Sequence, residues 1–273
     1  MPPVTEKRAV LFWLLPPLAV MALHPLVRDN PDRLRWAVTA LSLTVLFFSV
    51  VIHELSHGAA AYICGDFTAH EADRLTLNPL KHVSLVGSIV LPLILFLSKS
   101  DMMFGWAKPV PFNPMRLRNH PRDQTFISLA GPLSNLALSF ASFALFALSG
   151  YLYNRFNPAA PVTMSLNLHA PLDFSGMTWE PFWFVWFELL LWGMMTNAGL
   201  AVFNLIPFPP LDGFWVLKAL LPARFAAVAT KVQGFGFILL IVAVQFRLID
   251  VLFYPAAGII VGYHAAGKLL LGP

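Results

Sequence analysis

Charge is scarce in this chain: Asp, Glu, Lys and Arg make up 12% of its 273 residues, about half of the roughly 25% usual in soluble domains. Hydrophobic residues reach 58%, more than a water-soluble core of this size needs, so water is not the main solvent. Cysteine is nearly absent. Cys64 stands alone, which excludes an internal disulfide, and it reads as a small buried filler. Internal repeats and low-complexity tails are missing as well. The formal charge is +4 with a pI near 9.4, but the 18 Lys and Arg are scattered through short loops. A nucleic acid needs basic residues gathered on one face, so none is expected as a partner; charge beside apolar helices orients a chain in a lipid bilayer.

What is present is a series of long apolar runs. A bilayer crossing takes about 20 mostly apolar residues, and six segments qualify as candidates: about 9–27, 36–63, 124–150, 181–205, 224–246 and 251–271. The first follows Lys7-Arg8 but is too long for a signal-peptide core, so it is expected to be retained. A shorter run from Val83 to Leu97 carries Pro92 in its middle and reads as re-entrant. Between Gly65 and Pro79 a polar, partly alternating stretch predicts a strand or hairpin at the membrane boundary. The expected architecture is an all-α polytopic membrane protein with about six transmembrane helices, a re-entrant segment and a small membrane-associated β hairpin, forming one domain over 1–273. The loop from Lys99 to Asp123 holds Lys108, Arg116, Arg118 and Arg122 and reads as cytoplasmic. Six crossings then place both termini in the cytoplasm, in a cell (inner) membrane, although Arg28, Arg33 and Arg35 fall on the far side against the rule.

One apolar run contains three ionisable side chains in the order His53-Glu54-Leu55-Ser56-His57. On a helix, residues four apart lie one turn above each other, so two imidazoles can grip a single zinc ion. Glu54 sits one residue round, within reach of a proton from a water that the metal activates. Ionisable groups are costly in lipid and mark function there by default. Catalytic zinc needs a third protein ligand. Asp212 is the best candidate, at the end of Asn204-Leu-Ile-Pro-Phe-Pro-Pro-Leu-Asp-Gly213, where Pro207, Pro209 and Pro210 break the helix and Gly213 permits a tight backbone. Its blander alternative is a helix N-cap. The other histidines, His24, His70, His82, His120, His169 and His264, read as solvated or interfacial.

These motifs, together with Leu77-Asn78-Pro79-Leu80, Gly105-Trp-Ala-Lys-Pro-Val-Pro and Ala130-Gly131-Pro132-Leu-Ser-Asn135, resemble the site-2 protease family of intramembrane metalloproteases over about 53–215. No stretch is long enough for a PDZ or CBS domain, so the chain resembles a minimal member with a catalytic core of about 36–221. The resemblance implies His53, His57 and Asp212 as zinc ligands, Glu54 as general base, and Asn135 as a polar group near the scissile peptide. Asn135 has an equally weighted alternative as a residue that bonds helices together. The resemblance further implies a transmembrane protein as substrate, cut within the bilayer; the alternation between Gly65 and Pro79 separately suggests a strand edge that an extended substrate could join.

Two other functions compete. A zinc protease acting on prenylated tails also carries His-Glu-x-x-His in a membrane helix, but its third ligand is Glu, and Glu180 and Glu188 both precede the Asn204–Gly213 run. A transporter or scaffold also uses broken helices, yet transport predicts repeat symmetry, which the sequence lacks.

Overall fold

The computed structural model describes residues 7–84, 87, 90, 107–158, 161–162, 180–246 and 253–271. Helices α1 (Lys7–Val27) and α2 (Pro31–Ile63) are followed by the short α3 (Thr68–Glu71) and by 3₁₀ turns at Pro79–Lys81 and Pro114–Arg116. Then come α4 (His120–Phe156), α5 (Pro181–Leu205), α6 (Asp212–Leu220), α7 (Ala223–Gln233), α8 (Gly236–Gln245) and α9 (Tyr254–Leu271). The protein is an all-α membrane protein.

Helix α2 starts where local chemistry demands it. Asn30 Oδ1 accepts from Arg33 N at 3.1 Å, Pro31 occupies the first turn, and Asp32 adds negative charge there, each favourable at a helix N-terminus. The helix stops before Gly65, whose φ of 100° suits the left-handed residue after a C-cap. Helices α2, α4 and α5 are each long and apolar enough to cross a membrane, matching the expected spans 36–63, 124–150 and 181–205. Half of the apolar window of α5 is buried, against 33% for α2 and 28% for α4, so α5 is the central post. Leu41, Phe146, Phe187 and Met194 form the core where α1, α2, α4 and α5 meet. Leu15, Phe140, Leu148 and Ile238 face outward, as side chains do when the surroundings are hydrocarbon.

The count of six crossings is not supported: among the described residues, three helices meet the length and apolarity of a span. In α1 the apolar stretch is the shorter Leu11–Val27, with Pro16, Pro17 and Pro25 inside the helix. The run 224–246 divides near Gly234 into α7 and α8, of 11 and 10 residues, each too short at 1.5 Å per residue to span about 30 Å. Helix α9 has 18 residues, but His264 and Lys268 dilute its apolarity. The proposed re-entrant segment, Val83 to Leu97, lies mostly outside the described residues.

The β hairpin is also corrected, since no strand occurs among the described residues. Short polar side chains capture nearby backbone N–H groups there and favour turns over a ladder. Asp66 Oδ1 accepts from Thr68 N at 3.0 Å, Asn78 Oδ1 accepts from Leu80 N at 3.1 Å, and Asp73 takes φ 58°. With no strand edge between Gly65 and Pro79, strand addition by a substrate has no template there. Two histidines read as solvated are buried: His24 against Phe184, and His82, whose Nε2–H donates to Thr76 O at 2.9 Å. His169 lies outside the described residues. Cys64 is buried beside Ala60, Ala61 and Ile127, as its size predicts.

Candidate metal centre

His53 and His57 project from the same face of α2, with their ring centroids 4.6 Å apart. His57 Nδ1 donates to Ile127 O on α4 at 2.7 Å. A carbonyl only accepts, so this bond places the hydrogen on Nδ1 and leaves the Nε2 lone pair free. His53 Nδ1 lies 2.5 Å from Asn135 Oδ1. The amide of Asn135 has one orientation that satisfies its neighbours, because its Nδ2 donates to Ser49 O at 3.3 Å and to Asn197 Oδ1 at 2.8 Å. Its oxygen therefore accepts from His53 Nδ1–H, and again Nε2 is left free.

Asp212 arrives from the far end of the bundle. The prolines end α5, and α6 begins at Asp212 itself, so the carboxylate stands in the first helical turn rather than at the N-cap. A Cβ on Gly213 would strike Leu205 O and lie 2.6 Å from Ile206 O, which is why glycine must follow Asp212 for the turn to fold this tightly. Asp212 Oδ2 sits 3.1 Å from His53 Nε2 and 3.3 Å from His57 Nε2, while the two Nε2 atoms are 3.0 Å apart. Gly131 on α4 lets that helix approach the pair: a Cβ there would meet His57 Nε2 and lie 2.6 Å from His53 Cε1. Pro132 follows it inside the helix and has no N–H to donate to Ser128 O, the carbonyl one turn back.

The donor set fits a metal. With both Nδ1 hydrogens committed, the neutral imidazoles turn two Nε2 lone pairs toward a carboxylate oxygen, the donor set that a divalent cation takes. Asp212 Oδ2 is buried and makes no hydrogen bond. Such a trio is repulsive unless a cation joins it. Their separations of 3.0–3.3 Å approach the roughly 3.3 Å between ligands that tetrahedral zinc requires at 2.0–2.1 Å from each. Among the described residues, His53, His57 and Asp212 are the group of ligating side chains close enough to share an ion.

A family model described as peptidase family M50 matches residues 41–243. The chain belongs to this family, the site-2 protease family. The chain is also similar to YwhC of Bacillus subtilis, named as a zinc metalloprotease, at 36% identity over 72% of this chain and 76% of that protein. Rip2 of Mycolicibacterium smegmatis, likewise named as a zinc metalloprotease, is 26% identical over 71% of this chain and 62% of its own length. No solved structure matches. The protein is thus a membrane metalloprotease of family M50, whose cofactor is Zn²⁺, with His53, His57 and Asp212 as a possible site for it.

Glu54 lies beside this trio, half-buried, with Oε2 accepting from Val110 N at 2.8 Å. Asn135 is fully buried and all of its hydrogen-bonding groups are engaged within the protein. Sequence reasoning missed Asn197, also buried, which holds Asn135 and anchors itself to Gly193 O at 2.8 Å. An amide in the middle of the apolar run of α5 was the signal available. Neither alternative Glu joins the site: Glu188 accepts from Trp192 Nε1 at 3.0 Å, and Glu180 stands at the start of α5. A cavity of about 430 Å³ opens between α1, α2, α4 and α5, lined by Trp13, Phe48, Trp186 and Leu189. It reaches the centre only indirectly, through Ser49 and Asn197.

Proposed function

We propose that the protein is an intramembrane zinc endopeptidase that hydrolyses peptide bonds within or near transmembrane segments of membrane-protein substrates. The observation that carries this reading is the convergence of His53 Nε2, His57 Nε2 and Asp212 Oδ2 within 3.0–3.3 Å, on helices apolar enough to lie in lipid. When bound, zinc supplies Lewis-acid activation of a water and of the scissile carbonyl. Glu54 takes the proton as the water oxygen attacks the carbonyl carbon, then delivers it to the departing nitrogen as the C–N bond breaks. Its Oε2 is held by Val110 N, so Oε1 is the oxygen that works. Asn135 acts on His53 rather than on the substrate, by fixing the ring so that Nε2 faces the metal.

The place of action is the cell membrane. Cytoplasmic placement of both termini rested on six crossings and is not retained. The prenylated-tail reading is not favoured, because the acidic group that meets the histidines is Asp212. The test is purification with metal analysis and an assay on a reporter bearing one transmembrane segment, comparing the natural protein with Glu54→Gln. Zinc retained with cleavage abolished is expected; cleavage at the natural rate by Glu54→Gln would end this reading.

A further inference from the structure

Three buried polar residues outside the metal centre converge on one extended segment, 107–113. Asp66 Oδ2 accepts from Asn113 N at 2.5 Å. His82 O accepts from Lys108 N at 2.8 Å. Arg74 Nη2 donates to Lys108 O at 2.7 Å. Between these anchors, Val110 is buried and its N–H is spent on Glu54. The segment is a strap pinned at both ends, and its midpoint touches the carboxylate next to the zinc ligands.

Arg74 is the costly member. Only 7% of its surface is exposed, it donates to no carboxylate in a direct ion pair among the described residues, and its Nε has no hydrogen-bond partner. A buried guanidinium bonded to a neutral carbonyl loses more hydration than one such bond returns. Such a group persists where it holds something of use. Glu54 is a carboxylate whose charge favours the Arg74 cation, and the atom Arg74 grips lies two residues from the N–H that Glu54 accepts.

We infer that Arg74 is a positioning residue: by holding Lys108 O it fixes the strap so that Val110 N pins Glu54 Oε2 and leaves Oε1 free for the proton. Glu54 Oε1 has no partner among the described residues. A carboxylate bonded through one oxygen keeps one rotamer, and general-base catalysis depends on such placement because misplacement by about 1 Å can cost about 100-fold in rate. The inference rests on the proposed role of Glu54 and adds the residues that aim it.

The test uses the full-length zinc-loaded protein in detergent with the single-span reporter. Arg74→Ala is expected to lower kcat about 100-fold while KM and zinc content stay within twofold, and Arg74→Lys, which keeps a donor for Lys108 O, is expected to recover at least a tenth of the natural kcat. Val110→Pro removes the N–H without touching Arg74 and is expected to match Arg74→Ala. Because both changes act through one contact, the double variant should fall no further than either single one. Hydrogen exchange across 107–113 should quicken in Arg74→Ala. Natural kcat in Arg74→Ala, a faster enzyme, or losses that multiply in the double variant would overturn the inference. Should Arg74→Ala fail to fold, Val110→Pro at a natural kcat overturns it alone. If Glu54→Gln is dead and these variants are normal, only this inference fails; if Glu54→Gln cleaves, the proposed function fails first.

Discussion

Replacing Asn135 by Ala removes one side chain and strands three groups at once: His53 Nδ1–H, Ser49 O and Asn197 Oδ1. The site is fully buried, so water does not readily take over those bonds. His53 then loses the partner that fixes both its tautomer and its ring orientation. Loss of such a partner typically weakens metal binding by about 10–100-fold, or about 1.4–2.8 kcal/mol. Stability should fall less, since bonds between helices in membranes are worth about 0.6 kcal/mol each on average. Zinc affinity, measured by chelator competition on the purified protein, is therefore the sensitive readout, with the thermal midpoint followed alongside. Asn135→Asp keeps an acceptor for His53 Nδ1–H and should retain most of the affinity. If Asn135→Ala binds zinc as tightly as the natural protein but cleaves more slowly, the amide serves the scissile peptide and its positioning role is refuted.

Other outcomes follow from the same geometry. Gly131→Ala places a Cβ against both imidazoles and should lower zinc affinity by 100-fold or more, because metal ligands tolerate displacements of only about 0.2 Å; stoichiometric zinc at unchanged affinity would contradict the packing. Asp212→Ala should lose zinc and activity together in metal analysis and the cleavage assay, whereas a helix cap would lose only about 1 kcal/mol of stability. A strong zinc chelator should abolish cleavage, and added zinc should restore it within the same preparation.

The pairing of the two imidazoles was legible because it is local. His53 and His57 are four residues apart, and any helix brings such residues to one face. Asp212 was legible by chemistry, as an acidic residue after a proline-broken span, although the sequence left a cap as its alternative. The Gly65–Pro79 stretch misled because polar alternation resembles a strand pattern. Asp66 and Asn78 bond to backbone within two residues of themselves, and periodicity does not register such local capture. The six crossings misled for a related reason: 224–246 reads as one apolar run, but Lys231, Gln233 and Gly234 interrupt it and the helix divides there. His82 read as bland for want of any local sign that its backbone carbonyl anchors a distant segment.

By itself, then, the sequence determined the solvent, the helical class and the paired imidazoles, because composition and spacing act over a few residues. Tertiary structure alone decided that Asp212 completes the trio, that Asn135 turns to His53 rather than to open space, and that Val110 N rests on Glu54. Each of those contacts joins elements far apart in the chain, and their geometry is set by how closely α2, α4 and α6 pack, which Gly131 and Gly213 permit.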